Sequence, residues 1–155
     1  MNEQEYPRLK QIVGFKAQYK RMLHALKLAE SEGGTLEEKG YQFIIFFLHC
    51  WHLKDHIKQD DDIPSEQRDR IIDAAQKCPV LQICQALANG LKHFVEKPEA
   101  KMAGNTSVTV VVGSHIQYIP RVELGNGTRK DAIDIAINCV GAWQRILKSE
   151  SLESA

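Results

Sequence analysis

The chain has no surplus of charge: 20 Lys and Arg residues face 20 Asp and Glu. A global pull toward nucleic acid or an anionic bilayer is therefore absent, and any anion-binding surface has to be a local patch. Long hydrophobic runs are missing too. The longest, Phe43 to Leu48, is far too short to span a bilayer, so no membrane partner is expected. The opening Met1-Asn2-Glu3-Gln4-Glu5 lacks the basic start and apolar run of a secretory signal. A cytoplasmic location is the expectation. Cys50, Cys78, Cys84 and Cys139 form no CxxC pair. In a reducing compartment they read as small buried hydrophobes rather than as a disulfide framework. There is no Walker loop, no GxGxxG and no HExxH. Nucleotide-cofactor binding and zinc-protease chemistry are thus without support, and no cofactor is expected.

What is present suits one folded domain. The 155 residues are 43% hydrophobic, enough for a single core. Ile12, Phe15, Tyr19, Met22, Leu23, Leu26 and Ala29 recur at threes and fours, which predicts a helix opened by Pro7 and ended by Gly33-Gly34. Thr35 and Glu38 form a capping box for a helix running to about Gln59, apolar all round in its first half and hence central. Asp60-Asp61-Asp62-Ile63-Pro64 breaks it, three carboxylates that mark a solvated loop. A short helix spans about 65–76, and an amphipathic one follows Cys78-Pro79 over about 80–95. Ser107 to Val112 carries a strong strand signal. Gly113-Ser114 predicts a two-residue turn, and His115 to Val122 returns as the second strand. Gly125-Asn126-Gly127 predicts another turn. Thr128 and Asp131 are expected to cap a last helix with a stripe of Ala132, Ile133, Ala136, Ile137, Cys139, Val140, Trp143, Ile146 and Leu147. The fold class is mainly α: a single-domain helical bundle of four main helices plus one short one, with a β-hairpin inserted before the last helix. Residues 149–155 are expected to form a disordered tail.

Two helical stretches hold most of the histidine. His49, His52 and His56 share a narrow arc, with Asp55 at its flank. Imidazoles at i and i+4 can chelate a transition metal, which makes a metal-dependent enzyme one alternative. No complete ligand set is visible, however, and no metal site is assigned. Asn89, Lys92 and His93 lie opposite the apolar face of their own helix. That is ordinary for a solvated face, yet these residue types can also hold a phosphate and move a proton. If the two helices pack, His52 and Asp55 are expected to approach Asn89 and His93. Cys50, two residues from His52, points elsewhere and reads as core.

The segments Trp51-His52-Leu53-Lys54-Asp55 and Ala88-Asn89-Gly90-Leu91-Lys92-His93 resemble signatures of a family of small bacterial helical proteins without an established activity. The closing helix resembles the same family. More distantly, Asn89 and His93 resemble the ribonuclease motif of the HEPN superfamily, in which an Arg, often followed by Asn, precedes a His by five residues. Ala88 occupies the Arg position. The resemblance implies a HEPN-like binding or interaction module of a bacterial defence or toxin–antitoxin system, with RNA or a protein as partner and ribonuclease activity weak or lost. In a catalytic version His93 is the acid/base, His52 or Asp55 orients it, and Asn89 and Lys92 hold the substrate phosphate. A structural homodimer is the remaining alternative.

Overall fold

A computed structural model describes residues 14–31, 35–96, 109–112, 120–123 and 129–152. They form α1 (Phe15–Glu30), α2 (Leu36–Lys58), α3 (Ser65–Lys77), α4 (Pro79–Glu96), β1 (Thr109–Val112), β2 (Pro120–Glu123), β3 (Arg129–Asp131) and α5 (Ala132–Ser149). The protein is thus a helical bundle with a β insertion before its last helix, as its periodicities require. None of the described helices is long and apolar enough to cross a membrane.

Each helix begins where local chemistry allows. The Thr35 hydroxyl accepts from Glu38 N–H at 3.2 Å, and Glu38 accepts from Thr35 N–H at 3.2 Å, so the capping box of α2 is complete. Pro79 occupies the first turn of α4, where its missing N–H costs nothing. The stretch from Pro7 to Val13 lies outside the described residues; Gly14 sits at φ 99°, a left-handed backbone that leaves the helical path, and α1 starts at Phe15. Asp60 is not simply solvated. Its carboxylate accepts from Phe15 N–H at 3.2 Å, placing a negative charge at the N-terminus of α1, where the helix dipole favours it. At the other end of α1, Lys39 donates to the Ser31 carbonyl and approaches those of Leu28 and Ala29.

The central helix is α2, which packs on α1, α3, α4 and α5. Phe43, Phe46, Phe47, Cys50, Trp51, Leu53 and Ile57 are its buried side chains. Tyr41 and Ile45 are exposed on its outer flank. Phe15, Tyr19, Met22, Leu81, Cys84, Ile135, Cys139, Trp143 and Leu147 complete the core from α1, α4 and α5. Ile137, expected in the stripe of α5, is half exposed, and Ile135 and Ala142 are buried in its place. At about 25 cal/mol per Å² of apolar surface, burial of these large side chains is the main favourable term in folding.

The strands form an antiparallel sheet in the order β1-β2-β3. Thr109 pairs with Glu123 and Val112 with Pro120. A two-residue turn at Gly113-Ser114 would pair Val112 with His115, so the register overturns that expectation; residues 113–119 lie outside the described ones. Glu123 pairs with Arg129 and Arg121 with Asp131; residues 124–128, which include Gly125-Asn126-Gly127, lie outside the described ones. Because Arg129–Asp131 is extended, the N-cap of α5 is Asp131 alone, and its side chain bonds no helix N–H. The tail is partly fixed. Ser151, at φ 57°, reverses the chain after α5, with bonds from Ser151 N–H to the Lys148 carbonyl and from Leu152 N–H to the Leu147 carbonyl. Arg70 clamps the Glu150 carboxylate with Nε and Nη2, each at 3.0 Å from one oxygen. Residues 153–155 lie outside the described ones.

Candidate functional site

Helical geometry decides which of the expected site residues can meet. Phe47 and Cys84 face each other across the α2–α4 seam, the Cys84 thiol donating to the Phe47 carbonyl at 3.4 Å. His52 follows Phe47 by five residues, and Asn89 follows Cys84 by five. At about 100° per residue, each is turned roughly 140° from the seam. Both are exposed. Asp55 is half exposed and pairs with its neighbour Lys54 at 2.7 Å, while Lys54 lies 4.9 Å from the Trp51 ring centroid. Among the described residues no hydrogen bond or ion pair joins His52 or Asp55 to Asn89. His52 and Asn89 therefore do not meet at the seam. Lys92 and His93 lie on α4, but their side chains fall outside the described residues. Ala88 is described and is only 4% exposed, packed into the core.

The histidines of α2 do come together with something else, namely α1. His49, four residues on from Ile45, faces Gln18. Gln18 is 3% exposed and is the buried polar side chain among the described residues. Its amide Nε2 donates to the His49 carbonyl at 3.0 Å and lies 3.2 Å from His49 Nδ1. Its Oε1 accepts from Arg21 Nη1 at 3.0 Å. This network fixes the amide orientation, because the carbonyl needs a donor and the guanidinium an acceptor. The second Nε2 hydrogen then makes Nδ1 an acceptor, so the proton of the neutral ring sits on Nε2.

Electrostatics favour the neutral ring. Burial holds the His49 imidazole below its usual pKa, and Arg21, His52 and His56 add to the effect. His56 is held down by burial first, then by Arg21 and His52, with Asp55 opposing. His49 and His56 thus crowd one guanidinium, which favours their neutral forms. As metal ligands they do not converge into a set of three; among the described residues the set that does is Cys50, Cys84 and Cys139.

Between α1 and α2 lies a groove of about 310 Å³, lined by Lys20, Arg21, His24, Ala25, Leu28, Ile45 and His49. No carboxylate is among these residues. Leu28 and Ile45 are 45% and 47% exposed, so the groove has apolar walls beside a cationic rim. Sequence reasoning passed over this place. Lys20, Arg21 and His24 look like the ordinary polar face of an amphipathic helix. One signal was present: Gln18 occupies a position three residues after Phe15 and four before Met22, where the stripe calls for an apolar side chain.

Comparison with protein families, with curated proteins and with solved structures returns no match. Fold and site together define a helical bundle with a small antiparallel sheet and a groove lined by Lys20, Arg21, His24 and His49.

Proposed function

We propose that this protein is a binding module, and that it takes a phosphate-bearing ligand, RNA in the first instance, in the groove between α1 and α2. The observation that carries the reading is the lining itself: Lys20, Arg21, His24 and His49 beside Leu28 and Ile45, with no carboxylate in the groove wall. A nucleotide has the matching halves, an anionic phosphate for the cations and a base for the apolar walls. The local patch coexists with overall neutrality, which keeps non-specific binding weak.

A HEPN-like setting in a bacterial defence or toxin–antitoxin system, in the cytoplasm, accompanies this proposal and rests on the Ala88–His93 pattern. Catalysis by that pattern is disfavoured. The Arg position is held by Ala88, and Ala88 faces the core, so a side chain there does not reach a solvent-borne phosphate. Asn89 is exposed on α4, and the side chains of Lys92 and His93 lie outside the described residues.

The test is fluorescence anisotropy of a labelled single-stranded RNA with the full chain at several salt concentrations. Binding should weaken steeply with salt. Lys20→Ala with His24→Ala should lower affinity and reduce the salt slope by roughly one for each phosphate that is no longer neutralised. Equal affinity in wild type and double variant removes the groove from consideration. A second reading, a homodimer through the same face, is favoured by Leu28, Tyr41 and Ile45, which are 45%, 56% and 47% exposed. Sedimentation of wild type against Ile45→Asp separates it from the first.

A further inference from the structure

The core contains a constellation that the groove does not use. Cys50 on α2, Cys84 on α4 and Cys139 on α5 are each 0% exposed, and their sulfurs all lie within 4.8 Å of one another. All are free thiols. Three of the four cysteines in the chain thus converge from three helices on one point. Packing of small apolar residues accounts for the burial of each. It does not require the three sulfurs to share a centre.

We propose that Cys50, Cys84 and Cys139 form a three-sulfur site for a soft, low-coordinate metal ion, of which copper(I) is the type. The dimensions fit. An ion about 2.3 Å from each of three coplanar sulfurs sets them about 4.0 Å apart, so closure needs shifts of well under an ångström per side chain. The donor set is all sulfur, which selects soft ions over magnesium or calcium. Among the described residues no fourth Cys, His, Asp or Glu joins the set. Zinc prefers four ligands and would need a water here, yet the site is sealed from solvent. Copper(I) is satisfied by three thiolates.

The surroundings are those of a rigid site. Cys84 donates to the Phe47 carbonyl at 3.4 Å and Cys139 to that of Val80 at 3.7 Å. Both acceptors lie on helices, whose own N–H groups keep them satisfied when the thiols lose their protons. The Trp143 indole N–H donates to the Cys50 carbonyl at 3.1 Å and fixes the turn of α2 that presents the first sulfur. Because the sulfurs are fully enclosed, metal enters while the three helices assemble, and a filled site ties α2, α4 and α5 together.

The test refolds the full chain anaerobically, under reducing conditions, with one equivalent of copper(I) and a competing colorimetric chelator. Wild type should retain one copper per chain. It should also show sulfur-to-copper charge-transfer absorption and the luminescence of a copper–thiolate centre shielded from water. Cys78→Ala, which alters the one cysteine outside the cluster, should behave as wild type. Cys84→Ala and Cys139→Ala should each lose affinity by more than roughly 10-fold, beyond the cost of losing an outer-sphere partner. Wild type with a native circular dichroism spectrum that yields its copper to the chelator overturns the proposal without any variant. So does binding abolished by Cys78→Ala but kept in Cys84→Ala.

Discussion

Replacing Gln18 by Leu separates a polar bridge from simple packing. The two side chains are similar in size, so no large cavity opens. What disappears is the donor to the His49 carbonyl at 3.0 Å, the approach to His49 Nδ1 at 3.2 Å and the acceptor for Arg21 at 3.0 Å. The first two are worth about 0.5–1.5 kcal/mol each. The third is a partly exposed bond, and water replaces it at little cost. Leu recovers part of the loss, on the order of 1 kcal/mol, by burying apolar surface in place of an amide. The net expectation is a destabilisation of about 1 kcal/mol, or a fall of about 2–4 °C in Tm for a chain of this size. Urea unfolding followed by tryptophan fluorescence measures it, with Trp51 and Trp143 as buried reporters. The same variant frees the His49 ring, so RNA affinity should drop more than the modest stability loss explains. A Gln18→Leu protein as stable as wild type, or more stable, refutes the bridge and with it the assigned tautomer of His49.

Stability should also fall as pH is lowered from 7 to 5.5. His49 and His56 have folded pKa values below the ordinary 6.5, so the unfolded chain takes up protons first and gains free energy as pH drops through that value; urea midpoints that stay level or rise toward pH 5.5 contradict this. Tyr19 is 2% exposed and its hydroxyl has no partner among the described residues. Tyr19→Phe is therefore expected to leave Tm unchanged or raise it, and a clear drop would mean that the hydroxyl is bonded by chain outside the described part. Ala88→Arg should unfold the protein rather than restore nuclease chemistry, since it drives a guanidinium into the core at a cost of several kcal/mol. A folded Ala88→Arg protein that cleaves RNA would reinstate the α4 site.

Elements governed by short-range chemistry were readable in the sequence. The Thr35–Glu38 box, Pro79 at the head of α4 and the apolar stripes place the described helices to within a residue or two, except at the start of α5, where Arg129–Asp131 is strand and the helix begins at Ala132. The left-handed backbone of Gly14 bounds α1 at Phe15, and the residues before it lie outside the described ones. The hairpin was legible as two strands, but its register was not, because nothing in Gly113-Ser114 reveals which residue will oppose Val112. The candidate sites were the least legible. His52 and Asn89 looked like partners because each interrupts an apolar helix, yet rotation about two helix axes turns both away from their common seam. Conversely, Cys50, Cys84 and Cys139 each read correctly as core, while their meeting depends on how three helices cross. Burial follows from periodicity along one helix; convergence does not.

The carbonyls of His49 and Cys50 are neighbours on α2, and each takes an additional hydrogen bond from a different helix: one from Gln18 on α1, the other from Trp143 on α5. The middle of α2 is thus held like an axle pinned from both sides. It cannot rotate or slide by a residue without releasing both pins at once, so motion at the groove and motion at the three sulfurs are not independent. A ligand that pulls on His49 acts, one peptide unit away, on the backbone that carries Cys50.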